Sequence, residues 1–238
     1  MSEKEEQLQE ELGVLRQDFK DFCYRVSHDL QGSLRNVGGF LSLIEGRCTA
    51  CFDDKSKQYL GFVKDGTVQA QSLLEGLTEY SYLLSEEKNF SLVDLEEILK
   101  SVMDDLKLSI HAKGAKVKVT SYAAEVLGDR ALLRRALRHV IDNALLYTEK
   151  DPRITITLER KTAQYLLTVS DEGIGMDREH YRSVFKPFER LHTQAQYPGI
   201  GLGLTVAQRV VEAHHGRIWL EAEEGPGCSA YIAFPLRA

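Results

Sequence analysis

Three groups of residues in this chain could do chemistry together. The first is the run from Val26 to Leu34, Val-Ser-His-Asp-Leu-Gln-Gly-Ser-Leu, in which His28 stands beside Asp29. The second is Asn143 followed, 28 positions later, by Asp171-Glu-Gly173-Ile-Gly175. The third is the glycine run Gly199-Ile-Gly201-Leu-Gly203-Leu204. A neutral imidazole is a competent nucleophile near neutral pH, and an adjacent carboxylate can orient it or take its proton. An Asn carboxamide offers an oxygen to a hard cation such as Mg²⁺ and an N–H to a phosphate. A carboxylate followed by glycines at alternate positions lets a flat base lie against bare backbone while the carboxylate accepts a hydrogen bond from its exocyclic amine. Glycines that lead straight into a helix turn backbone N–H groups and the helix dipole toward an anion.

Those groups need particular elements to position them. Leu8, Leu12, Leu15, Phe19, Phe22, Val26, Leu30, Leu34, Val37, Leu41 and Ile44 recur at near-heptad spacing, which predicts one long helix to about residue 46 with a Glu-rich coiled-coil stem over residues 1–18. At about 100° per residue, Val26 and Leu30 share a stripe and His28 lies on the opposite side, pointing outward. Three successive steps of four through Phe22, Val26, Leu30 and Leu34 form a stutter beside His28. After a break from Gly46 to Asp54, Tyr59, Phe62, Gly66, Ala70, Leu73, Leu77, Tyr80 and Leu84 repeat the pattern, so residues 19–85 form an antiparallel hairpin. A lone hairpin leaves half its apolar stripe bare, and pairing with a second copy into a four-helix bundle would cover it; a homodimer is expected.

Beyond the polar linker Ser85 to Asn89, residues 90–238 read as one domain. Phe90 to Leu108 is predicted as a helix that Ser91 or Asp94 could cap, Lys116 to Thr120 as a strand, and Arg130 to Thr148 as a helix with a core stripe of Leu133, Leu137, Ile141 and Ala144. Ile154 to Leu158 and Leu167 to Val169 read as a strand hairpin bending near Thr162, Leu202 to His214 as a helix, and Arg217 to Glu221 and Ser229 to Phe234 as strands joined by the turn Glu223 to Gly227. The expected class is therefore α+β: a helical hairpin followed by an α/β sandwich with its helices on one sheet face.

In this order, His28-Asp29, Asn143, the Asp171 run and the Gly199 run resemble the catalytic core of a sensor histidine kinase, a phosphoacceptor hairpin followed by a GHKL-type ATP-binding domain. The resemblance covers the chain from about Phe19 to Pro235, and Ser27-His-Asp-Leu-Gln31 is similar to the H box of phytochrome-like soluble kinases. It implies that His28 accepts the γ-phosphoryl of ATP with Asp29 as base or orienter, and that an aspartate on a response regulator receiver domain then takes the phosphoryl group. It further implies that Asn143 binds Mg²⁺, that Asp171, Gly173, Gly175, Gly199, Gly201, Gly203 and Leu204 contact ATP, and that Phe185, Phe188 and Arg190 belong to a mobile lid from Met176 to Pro198. An upstream sensor domain or protein would supply the signal.

The chain departs from the family pattern at several places. His139 stands where a second Asn is usual, Leu146 where a phosphate-contacting cation is common, Ser33 where a proline often kinks the helix, Gln31 where arginine is frequent, and Gly32 where a Thr or Asn often positions water. Gly32 and Ser33 would supply the bend by flexibility. Two alternatives stay open: a degenerate kinase serving as a dimeric regulator-docking scaffold, and a GHKL ATPase of the chaperone kind. The latter usually carries a glutamate where this chain has His139.

Composition narrows the remaining classes. With 238 residues, 43% hydrophobic and 28% charged, the chain is ordinary globular material. A net charge of −6 without a basic stripe argues against nucleic acid as a partner. No apolar run approaches the roughly 20 residues of a membrane span, and the polar start Met-Ser-Glu-Lys-Glu-Glu is unlike a signal peptide, so a cytoplasmic protein is expected. Four cysteines are too few for a disulfide scaffold; Cys48 and Cys51 read as loop or helix-end residues. A Rossmann reading of the third glycine run fails because no strand precedes it directly.

Overall fold

The computed structural model describes residues 3–48, 52–83, 88–148, 151–193, 196–221 and 227–236. The chain divides into two units, residues 1–86 and 87–238.

The first unit is a helical hairpin, α1 (Glu3–Cys48) and α2 (Asp54–Leu83). The helix α1 runs uninterrupted through Gly32 and Ser33, where Ser33 Oγ donates to the Asp29 carbonyl at 3.3 Å. Asp53 caps α2 by accepting the Ser56 N–H at 2.8 Å, and Lys64 of α2 pairs with Glu45 of α1 at 2.9 Å. Cys48 is the last residue of α1, while Cys51 and the end of the apolar pattern at Leu84 lie outside the described residues.

Within the hairpin, the helix faces differ from the expected ones. The α1 residues that pack are Cys23, Ser27, Gln31, Leu34, Gly38 and Leu41, whereas Phe22, Leu30, Val37 and Ile44 are exposed. On α2 the covered face holds Leu60, Thr67, Leu74, Thr78 and Ser81, and Tyr59, Phe62 and Leu73 are exposed. Leu34 and Leu41 on α1 and Ala70 and Leu77 on α2 are half-buried as expected, while Cys23, Ser27, Gln31 and Gly38 on α1 and Leu60, Thr67, Leu74, Thr78 and Ser81 on α2 each stand one residue, about 100°, beyond an expected position. Small and polar side chains share the packed faces with Leu34, Leu41, Leu60 and Leu74, while Phe22, Leu30, Tyr59 and Phe62 face out.

The second unit is built on a five-stranded sheet. Its strands are β2 (Lys116–Thr120), β4 (Arg153–Arg160), β5 (Gln164–Asp171), β6 (Arg217–Glu221) and β7 (Cys228–Pro235), in the order β2-β4-β5-β7-β6. Ile154, Ile156, Leu158, Leu167, Val169 and Ile232 are buried while Thr155 and Glu159 are exposed, so one face is covered and the other wet. The covering layer is α3 (Leu95–Ala112), α4 (Arg130–Leu146) and α5 (Gly203–Ala213). The expected α4 core stripe of Leu133, Leu137, Ile141 and Ala144 is buried. The β4–β5 bend falls at residues 161–163, closed by the Lys161 N–H to Gln164 O bond of 2.8 Å, as the spacing predicted.

One predicted detail is corrected. The segment Ser91–Asp94 is a strand, β1, paired antiparallel with β3 (Glu125–Gly128), so the helix expected from Phe90 starts only at Leu95. Its local apolar spacing suits a helix, but the hydrogen bonds that β3 offers override it, and β3 itself was not foreseen. The strand β2 joins β4 in parallel. The turn Glu223 to Gly227 falls, apart from Gly227, outside the described residues.

Of the two cap candidates for α3, Asp94 serves: its carboxylate accepts the Glu96 N–H at 2.8 Å. Asp94→Ala is expected to lower stability by about 1 kcal/mol, with Asp94→Asn restoring most of it, as measured by denaturant midpoints.

Candidate functional site

The residues singled out for chemistry fall in both units. In the first, His28 projects from α1 with its side chain 68% exposed, and Asp29 beside it is 83% exposed. His28 Nδ1 lies 3.2 Å from Asp29 Oδ1. A carboxylate only accepts, so this contact places the ring proton on Nδ1 and leaves Nε2 with a bare lone pair facing solvent. The Tyr24 ring, one turn earlier, lies 6.4 Å from the imidazole.

In the second unit, Asp171 ends β5 and pairs with Cys228, the first residue of β7. The Gly173 N–H donates to its Oδ1 at 2.9 Å and the Cys228 N–H to the same oxygen at 3.3 Å. Among the described residues, Oδ2 has no hydrogen-bond partner. Burial dominates the environment and pushes the carboxyl up to about 6, against the pull of the two backbone N–H groups. The neighbouring Cys228 thiol is raised to about 12 by the same burial and by the charge of Asp171.

The glycines around this carboxylate are there for different reasons. A Cβ on Gly173 would come within 2.5 Å of Tyr147 O and 2.6 Å of Asp171 Oδ1, so no other residue fits without moving backbone. Gly175, at φ +66°, lies across from Gly227. The Ile174 N–H then donates to Tyr147 O at 3.0 Å, which ties the loop after β5 to the C-terminal end of α4.

That end of α4 carries Asn143, half-buried, whose carboxamide has no hydrogen-bond partner among the described residues. His139, one turn earlier, faces α5: a Cβ on Gly203 would lie 3.2 Å from its Nδ1. Gly203 and Leu204 are the first two residues of α5, and Leu202 before them supplies no side-chain cap. The first N–H groups of α5 are therefore open to an anion. Gly199 sits in the loop before it. Gly201, at φ +73°, is cradled so closely by Glu189 O and Phe188 that a Cβ would collide with both.

The segment from Met176 to Pro198 is fastened to α5, to the loop before it and within itself. Phe185 is buried and its carbonyl accepts the Thr205 hydroxyl at 2.9 Å. Phe188, exposed, donates its N–H to Gly201 O at 3.0 Å, and the Arg190 guanidinium bonds Tyr197 O at 2.5 Å. Phe185 is thus an anchor rather than part of a loose cover. The motif reading missed Tyr147, His192 and Tyr197, whose rings form a cluster with centroids 5.0 to 6.0 Å apart beside the Asp171 loop. Tyr147 could have been found, because it stands one helical turn after Asn143. His192 and Tyr197 carry no local signal.

Chemically, the unit offers a half-buried carboxylate for a base amine, an unpartnered carboxamide, and an uncapped helix N-terminus for phosphates. Acceptance of a base amine by this carboxylate would require ionised Asp171. Adenine-nucleotide affinity should fall about tenfold per pH unit below 6, measured by titration calorimetry, while Asp171→Asn loses that pH dependence. The effect on folding has the opposite sign. A carboxyl raised in the folded state adds stability that is full below 3.8 and lost as pH rises through about 6. Affinity that stays level across pH 6 would contradict this role for Asp171.

Comparison with known proteins agrees with this geometry. Residues 128–238 match the family described as histidine kinase-, DNA gyrase B- and HSP90-like ATPase. The chain is 31% identical over 220 residues to phytochrome-like protein Cph1 of Synechocystis, covering 92% of this chain and 29% of that protein. It is 31% identical over 231 residues to cyanobacterial phytochrome A of Nostoc, covering 97% of this chain and 30% of the relative. The chain therefore spans about 30% of the length of these relatives. Among solved structures, full-length ShkA in complex with AMPPNP superposes with a TM-score of 0.69 at 22% identity, over 92% of this chain and 46% of that one. The mycobacterial sensor histidine kinase MprB gives 0.56 at 26% identity, over 62% of this chain and 97% of its own. No helix among the described residues is long and apolar enough to cross a membrane. Residues 128–238, which carry the nucleotide-type site, thus match the histidine kinase-, DNA gyrase B- and HSP90-like ATPase family, and the chain as a whole, with the hairpin that exposes His28, is similar to histidine kinases.

Proposed function

We propose that this chain is an ATP-dependent protein-histidine kinase that phosphorylates His28 and passes the phosphoryl group to an aspartate of a response regulator receiver domain. One observation carries the reading: an outward imidazole whose Nδ1 is engaged by Asp29, in the same chain as the Asp171 site. Nε2 attacks the γ-phosphorus, the N–P bond forms, the bond to the β–γ bridging oxygen breaks, and ADP leaves. Asp29 is placed to take the Nδ1 proton as positive charge develops on the ring. Asp171 would receive the adenine amine, and Gly173 and Gly175 the flat base. Gly199, Gly201, Gly203 and Leu204 would receive the phosphates at the start of α5, with Phe185, Phe188 and Arg190 in the segment over them. Asn143 would hold Mg²⁺ through its carboxamide oxygen, and the ion would neutralise charge on the transferring phosphoryl group.

The receiver partner is supported by the solved complex of the histidine kinase ThkA with the response regulator TrrA, whose kinase shares this fold at a TM-score of 0.65 and 20% identity, over 95% of this chain and 66% of that one. A homodimer is supported by the exposed stripe of Phe22, Leu30, Val37 and Ile44 on α1, with Tyr59, Phe62 and Leu73 on α2. A second copy would cover that stripe and complete a four-helix bundle over residues 19–85, beyond a coiled-coil stem at 1–18. An upstream sensor, as a domain or a separate protein, would act through that stem.

Incubation with γ-labelled ATP and Mg²⁺ should yield an acid-labile, base-stable protein label that His28→Gln abolishes. Label that persists in that variant overturns the assignment, and a folded dimer that takes no label yet binds receiver domains favours the scaffold alternative. Replacing Phe22 and Leu30 together by Glu should convert the dimer to a monomer in sedimentation velocity while helix content is retained; an unchanged sedimentation coefficient would refute the proposed dimer face.

A further inference from the structure

The chain leads into the second unit through Lys88, Asn89 and Phe90. Two contacts hold this leading segment, and a third joins their anchors. The Asn89 N–H donates to Asp129 Oδ2 at 3.1 Å, the Phe90 ring stacks on His214 with centroids 4.8 Å apart, and His214 Nε2 accepts the Asp129 N–H at 2.9 Å. The other ring nitrogen, Nδ1, lies 2.7 Å from Val210 O. A backbone N–H can only donate and a carbonyl can only accept, so the ring carries its proton on Nδ1 and is bare at Nε2. His214 is 4% exposed, and Gly128 lies so close that a Cβ there would fall 2.6 Å from its ring.

We propose that His214 is a positioning residue: its neutral ring clamps the leading segment to the first turn of α4 and the last turn of α5, and a second proton on the ring releases that segment. The proton would set two donors, Nε2–H and Asp129 N–H, face to face in a buried site, and the ring must then leave both Asp129 and Phe90. Asp129 is also the N-cap of α4, accepting the Ala131 and Leu132 N–H groups, so the clamp bears on the helix that carries Asn143. Its other anchor is α5, whose N-terminus faces the phosphate end of the site. The inference thus concerns regulation of the site described under the proposed function, and only its kinase consequence rests on that reading.

The charged and titratable groups facing the ring come from each neighbouring element: Asp129 from α4, Lys88 from the leading segment and His215 from the residue after α5. Burial acts first and lowers the affinity of His214 for a proton; the Val210 bond and Asp129 oppose this, and Lys88 and His215 add to it. The closed clamp therefore binds the proton less well than the open one. It is complete above pH 6.5 and weakens as pH falls below that value.

Hydrogen exchange of residues 88–94 in the full chain, corrected for intrinsic rates and referenced to β4, tests the clamp. In the wild type, protection of this segment should fall about tenfold per pH unit below 6.5, until His214 is fully protonated, while β4 stays protected. His214→Gln supplies a carbonyl acceptor to the Asp129 N–H and cannot titrate, so its protection should not vary over that range. Phe90→Leu removes the stack but keeps the titrating ring, so protection drops severalfold at every pH with the wild-type slope. If His214→Gln follows the wild-type pH profile, or if the segment opens only together with β4, the clamp is refuted; should that variant fail to fold, Phe90→Leu and the wild type still decide by their slopes. A chain that takes no label from ATP would count against the kinase reading and leave the exchange result intact.

Discussion

A carboxylate that is costly to bury is the constraint around which the nucleotide-binding unit is arranged. Asp171 sits at the end of β5 where burial disfavours its charge, and two backbone N–H groups, from Gly173 and Cys228, compensate on one oxygen only. The half-satisfied group is stable enough to exist and poor enough in partners to bind a donor from outside. Holding it requires that the loop after β5 fold back on itself, which only a residue without a side chain permits at Gly173. The same fold-back brings the Ile174 N–H onto Tyr147 O, so the carboxylate and the end of α4 are registered by one short loop.

The phosphate end depends on a different constraint, an uncapped helix. The start of α5 has no side-chain oxygen to satisfy its N–H groups, which is unfavourable for an isolated helix and useful for one that meets an anion. The segment before it is fastened by Phe185 in the core, by the Phe188 bond to Gly201 and by Arg190 on Tyr197 O. With Leu146 in the last turn of α4, no cation follows Asn143 there, and Arg190 is engaged by a carbonyl. The open backbone N–H groups at the start of α5 are then the donors this end presents to an anion.

The helical unit divides its labour by side-chain size. Cys23, Ser27, Thr67 and Ser81 are buried between α1 and α2 although they add little hydrophobic energy, and Ser27 Oγ is buried without a hydrogen bond among the described residues. The large apolar residues Phe22, Leu30 and Phe62 face outward instead. Such an arrangement is costly for a single chain and becomes favourable when the outer stripe is covered. His28 lies outside the packed stripe of the hairpin, with its side chain exposed.

Much of this protein was legible in its residues alone. The outward position of His28, the α4 core stripe, the β4–β5 bend, and the order of Asn143, Asp171 and the glycines all follow from local periodicity and backbone chemistry, because spacing of 3.6 or 2 decides which side a residue faces. Tertiary structure decided the rest. Which of two adjacent stripes packs inside the hairpin depends on the partner helix, since a one-residue choice is a rotation of about 100° that a repeating pattern does not resolve. That Ser91–Asp94 is a strand depends on β3, some 30 residues away, and that Phe90 meets His214 depends on the whole sandwich. Contacts between distant segments leave no periodic trace along the chain, so they had to be seen in three dimensions.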